Sequence, residues 1–199
     1  MVQKEQNKTK ISLLKNAEFL FANFGYEGTT IRTIAEKSGT NSAMINYYFG
    51  SKENLYHALF ENHLDSIVNK INDIKNKTQD PAQRLTAFLE YYCGRIQTHQ
   101  DYYRILFSQL FGMQTPEILR IVSTLRKNIF EFLTKTIAEG IEKKRFAPID
   151  EEMLAINIMT LLPALNSSNK GFLNLSEEVN QDISKRVIAY FMSSLKITQ

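Results

Sequence analysis

Apolar residues recur at three- and four-residue spacing along most of this chain, the pattern of helices with one buried face. No stretch shows the period of two that a half-buried strand requires. The first periodic segment runs from Ile11 to Phe24, with Ile11, Leu14, Ala17, Phe21 and Phe24 along one side. Gly25 stands where such a helix would end. Thr30 is placed to cap a short helix, Ile31 to Ser38, closed by Gly39, and a second short helix follows from Ser42 to Tyr48. Ser51 caps a long one whose stripe is Leu55, Leu59, Leu64, Ile67, Val68, Ile71 and Ile74.

Two later signals are strong. Asp80-Pro81 and Thr115-Pro116 each join a capping side chain to a proline at the first helical position. They predict helices reaching Thr98 and Lys144, with another between them from Asp101 to Phe111. Asp150 caps the next, in which Pro163 predicts a kink or an end near Leu162. Ser176 caps the last, which reaches Lys196. The expectation is an all-α chain of about nine helices.

Composition narrows the class. Apolar residues make up 43% of 199, enough for a globular core. No window approaches ~18 consecutive apolar residues, so no membrane span is expected. The first ten residues are polar, unlike a secretory leader. The single cysteine, Cys93, permits no intrachain disulfide and fits a reducing cytoplasm. The net charge of +3 divides into +2 over residues 1–55 and +1 over the remainder, which permits nucleic-acid binding without demanding it.

Enzyme chemistry finds no support. His57 and His63 share a helix but lie about 240° apart round its axis, so they cannot share a metal. His99 completes the histidines, and HExxH, P-loop, GxSxG and paired-cysteine spacings are all absent. Cys93 reads as a small buried apolar residue. Neither catalytic residues, metal ligands nor a cofactor are expected.

The informative stretch runs from Thr29 to Leu55. Its two short helices are too brief to be stable alone and must pack on each other and on the first helix. Ile31, Ile34 and Ala35 supply the inward face of the earlier one, Gly39 the sharp turn, and Ile45 the apolar lock of the later one. Those spacings form a helix-turn-helix. A plain helical hairpin would share the glycine, but its solvated face would be rich in Lys and Glu. Here the outward positions Asn41, Ser42, Ala43, Met44, Asn46 and Tyr47 are uncharged. Short hydrogen-bonding groups with some apolar atoms suit the edges of base pairs and thymine methyls. A helical adaptor that binds only protein would leave that face and Lys52 without a purpose.

Residues Ile11 to Leu64 resemble the DNA-binding domain of the TetR family of bacterial repressors. The matching positions are Phe21, Gly25-Tyr26, Thr29-Thr30, Ile34-Ala35, Gly39, Phe49, Ser51-Lys52-Glu53 and Leu55. Two depart from the family pattern: Asn46 replaces the first of two usual tyrosines, and Thr40 an aliphatic residue. Thr40 would then pack less well or cap the recognition helix. The resemblance implies double-stranded DNA as partner, with Thr29, Thr30, Arg32 and Lys52 toward phosphates. Tyr47 and Tyr48 fall to phosphates or thymine methyls, and Asn41, Ser42, Ala43, Met44 and Asn46 to base edges.

The implied organisation is a helix-turn-helix domain over 1–55, then a helical ligand-binding and dimerisation bundle over 56–199. A single recognition helix reads few base pairs, so a homodimer on a palindromic operator is expected. Met153, Ile156, Met159, Val187, Ile188, Phe191 and Leu195 are candidates for its interface. Tyr92, His99, Tyr103, Phe107, Phe111, Met113, Phe130 and Asn166 are candidates for a pocket that takes an unknown, largely apolar small molecule.

Overall fold

The computed structural model describes residues 2–111, 115–166 and 182–197. Among these residues there are nine helices and no strand. They are α1 (Val2–Phe24), α2 (Ile31–Lys37), α3 (Ser42–Phe49), α4 (Lys52–Lys77), α5 (Pro81–Thr98), α6 (Gln100–Phe111), α7 (Pro116–Glu142), α8 (Glu151–Asn166) and α9 (Ile183–Ser194). The chain groups into two compact units. One comprises residues 1–65 and 101–122, the other 66–100 and 123–199. The packing therefore divides within α4, ten residues beyond the boundary at 55/56 expected from sequence, and α6 groups with the first unit.

In the first unit, α1 packs on α2 and α2 on α3. Leu13, Ala17, Leu20 and Phe21 form the buried face of α1, whereas Ile11 and Phe24 are exposed. The inward face is thus turned from the expected stripe. Leu13 and Leu20 fill the core because they align with Ala17, whose small side chain lets a neighbouring helix approach closely. α1 also begins nine residues earlier than its apolar pattern, at Val2. Extending an established helix avoids the nucleation cost, so polar residues suffice there. An aromatic cluster continues the core: Phe21 meets Tyr56 edge-on at 4.8 Å, and Tyr56 meets Phe60 at 5.2 Å. Phe60 in turn lies 5.7 Å from Tyr102 of α6. Burial raises the Tyr56 phenol far above its ordinary pKa. Beside it, His63 Nε2 lies 2.9 Å from Glu18 Oε2 while its ring stacks on Tyr102.

In the second unit, α5, α8 and α9 pack on one another. Asp80 caps α5 by accepting from the Ala82 N–H at 2.9 Å, as the Asp-Pro signal predicts. Phe88 stacks on Tyr92 at 5.5 Å and tilts against Phe132 of α7 at 5.1 Å. Arg84, buried on α5, donates to both carboxylate oxygens of Glu139 on α7, at 2.6 and 3.2 Å, and to the carbonyls of Thr78 and Gln79. The hydrogen bonds from Arg84 hold the Glu139 carboxyl below its usual range. Gly140 allows the Phe146 ring to close over α7, since a Cβ there would overlap the ring. α8 does not end near Leu162: it runs through Pro163 to Asn166. Proline forfeits one hydrogen bond so close to the helix end, and Leu162 and Pro163 are both buried. The expected cap of the last helix, Ser176, lies outside the described residues.

Candidate nucleic-acid interface

The reading head is built from two turns and two caps. Gly25 and Gly39 take left-handed conformations (φ 72° and 65°), which their missing Cβ makes inexpensive. Between them Thr30 caps α2 reciprocally: the Thr33 N–H donates to Thr30 Oγ1, and the Thr30 N–H to Thr33 Oγ1, both at 3.1 Å. Past Gly39, Asn41 rather than Thr40 caps α3, with the Met44 N–H donating to its Oδ1 at 3.2 Å. Asn is the stronger cap of the two.

α3 is held by Ile45 and Phe49, its two buried residues. One turn-facing stripe is thereby spent, and the opposite side is left open. Ser42, Ala43, Asn46 and Tyr47 are exposed, Tyr47 to 69%, and Met44 and Tyr48 are half-buried. Tyr47 meets Tyr48 edge-on at 5.0 Å. The face carries hydroxyl, amide, phenol and methyl groups and no charge. Such a surface can donate and accept at base edges without the desolvation cost of an ionised group.

The phosphate candidates separate. Thr30 and Arg32 are exposed, Arg32 paired through Nε with Glu36 at 2.8 Å, an i,i+4 contact weak enough to exchange. Thr29 is buried, and its hydroxyl donates to the Gly25 carbonyl at 2.8 Å. Lys52 is engaged as well. Its Nζ donates to the carbonyls of Tyr26 (3.0 Å) and Thr29 (3.1 Å) and lies 4.1 Å from the Tyr26 ring centroid. That places the ammonium as a fastener between α4 and the loop before α2. Sequence reasoning had no signal for this, because the acceptors stand 23 and 26 residues away.

Residues 13–59 match the model of the tetR family of bacterial regulatory proteins, and residues 78–167 match a tetracyclin repressor-like C-terminal domain. The HTH-type transcriptional regulator RutR of Escherichia coli (strain K12) is 30% identical over 153 residues, 75% of this chain and 69% of that protein. The chain belongs to the tetR family. Like its relatives it is a DNA-binding transcriptional regulator and not an enzyme. A solved structure of the ketosteroid transcriptional regulator KstR2 of Mycobacterium tuberculosis superposes with a TM-score of 0.76 at 22% identity, covering 95% of each chain. AibR, solved in complex with isovaleryl coenzyme A and operator DNA, gives 0.71 at 17%, covering 92% of this chain and 97% of that one.

The interface and pocket candidates scatter more than the reading head. Val187, Phe191 and Leu195 are buried by the chain's own helices and are therefore core, correcting their place among partner-facing residues. Met153 and Ile156 are exposed, Met159 and Ile188 half-buried, and Tyr190, absent from the sequence candidates, is 62% exposed. Of the pocket candidates, Tyr92, His99, Phe130 and Asn166 belong to the second unit, and Tyr103, Phe107 and Phe111 to the first. Tyr92 and Tyr103 are buried; His99, Phe107 and Phe130 are half-buried. Met113 and the side chains of Phe111 and Asn166 lie outside the description. A groove between α4 and α5 is lined by Lys70, Ile74, Lys77, Thr78, Ala87, Glu90 and Tyr91, and includes none of these candidates. No helix is long and apolar enough to cross a membrane among the described residues.

Proposed function

We propose that this chain acts in the cytoplasm as a homodimeric repressor, bound to a palindromic operator and released by a largely apolar small molecule. The observation that carries the reading is the uncharged, exposed face of α3, capped by Asn41 and anchored by only two buried residues. Ser42, Ala43 and Asn46 are assigned to base edges, Tyr47 to a thymine methyl or a phosphate, and Thr30 and Arg32 to phosphates. Two such helices must stand about 34 Å apart to enter successive major grooves, which requires a dimer. Met153 and Ile156 on α8 with Tyr190 on α9 supply exposed apolar surface for it. Relatives named for ketosteroid regulation and for an isovaleryl coenzyme A complex favour an acyl or steroid-like effector. Its binding would shift α4 and with it the separation of the two reading heads.

Selection from a random duplex pool tests the first half. The expected product is a palindrome bound by a dimer, with Asn46→Ala losing ~1–3 kcal/mol of discrimination at one base pair per half-site. A pool that yields no enriched sequence would overturn the reading. Adding isovaleryl coenzyme A or a ketosteroid to the bound complex tests the second half, with release expected from one class and not from coenzyme A alone. If neither class releases the operator, an acyl or steroid-like effector is ruled out.

A further inference from the structure

With Lys52 bound to two carbonyls and an aromatic ring, the cation that sequence placed against DNA is already engaged by the protein itself. A different lysine stands where a phosphate contact is wanted. α1 extends beyond the three-helix core toward Val2, and Lys10 lies on that extension. It is three and seven residues before Leu13 and Ala17, both fully buried, so it continues their stripe by one turn. Its side chain therefore leans over the head rather than away from it: Nζ lies 5.8 Å from the ring centroid of Phe49, the last residue of α3. Lys10 is nevertheless exposed, whereas Phe49 is buried. The ammonium thus stands beside Phe49 at the C-terminal end of the recognition helix. A helix lying in a major groove is flanked by the sugar-phosphate backbone at its ends, and a lysine carried on a stiff neighbouring helix reaches that backbone with little loss of freedom.

We infer that Lys10 is a DNA-backbone contact which fixes the C-terminal end of α3 in the groove. The inference rests on the operator-binding reading above. A phosphate contact carries no base preference; its mark is counterion release, about 0.9 in the slope of log affinity against log salt per phosphate. The test measures the affinity of the full-length chain for its selected operator between 50 and 200 mM salt. Lys10→Gln is expected to make that slope shallower by about 1.8, one contact for each protomer of a dimer, with unchanged base preference. Lys10→Arg restores the slope. Lys8→Gln, exposed but about 200° round the same helix, leaves it as in the wild type. Parallel lines for the wild type and Lys10→Gln, or an equal effect from Lys8→Gln, would overturn the assignment while operator binding stands. A Lys10→Gln chain with a lower melting temperature and an unchanged slope would show a lysine that only packs on Phe49. A wild-type chain that selects no duplex at all would instead remove the operator reading and the contact with it.

Discussion

α3 and α5 show two uses of a helix. α3 buries two of its eight residues; α5 buries nine of its eighteen. α5 is consumed by the fold on several sides: Phe88 against α7, Arg84 on Glu139, and α8 and α9 along its length. α3 is attached by a single stripe and a cap, which leaves Ser42, Ala43, Asn46 and Tyr47 exposed. A short helix without charge that the fold hardly uses is a helix kept for a partner. The contrast predicts that substitutions in the two helices will separate stability from DNA binding.

Phe88→Ala should give the largest effect. It removes a fully buried ring from between Tyr92 and Phe132 and is expected to cost ~3–5 kcal/mol in urea denaturation, with the base preference of the folded fraction unchanged. A cost below about 1 kcal/mol would show that α5 is less committed to the core than its burial implies. Asn46→Ala should do the opposite. Operator discrimination falls by the amount given above while stability stays within about 0.5 kcal/mol. A drop of several degrees in melting temperature would mean that Asn46 serves the fold, and the contrast would collapse.

The smallest effect concerns acid. The Ala82 N–H, and then Arg145 at 2.7 Å, hold the Asp80 carboxyl below its usual range. A depressed folded-state pKa contributes stability above the unfolded value, about 3.9, and that contribution is lost as pH falls through the folded value. Asp80→Ala should therefore lower the melting temperature at pH 7, and the gap to the wild type should narrow below about pH 4. A gap independent of pH would show that charge plays no part in the cap.

Local signals in the sequence were legible where a residue acts on its own neighbours. Thr30, Gly25, Gly39 and the Asp80-Pro81 pair mark real boundaries because capping and left-handed turns are settled within a few residues. The uncharged face of α3 was legible for the same reason. The phase of α1 was not, because Ile11, Leu14 and Phe24 are as apolar as Leu13 and Leu20, and only the packed neighbours choose between them. α9 repeats the lesson: Val187, Phe191 and Leu195 face inward, and Tyr190, on an adjoining side, is the exposed aromatic. Where the contact spans many residues, as from Lys52 to the Tyr26 carbonyl, the chain holds no local trace of it.

If the chain binds the operator as proposed, that fastening by Lys52 separates two of the operator's properties. The first turn of α4 cannot pivot without carrying the Tyr26 and Thr29 carbonyls, and Thr30 follows at once as the cap of α2. α2 and α3 are therefore towed by α4 as one block. On the dimeric operator proposed above, changes in α4 would alter the number of base pairs tolerated between half-sites, whereas changes on α3 would alter the letters read within them. Spacer length and half-site sequence would then be separately adjustable in this chain.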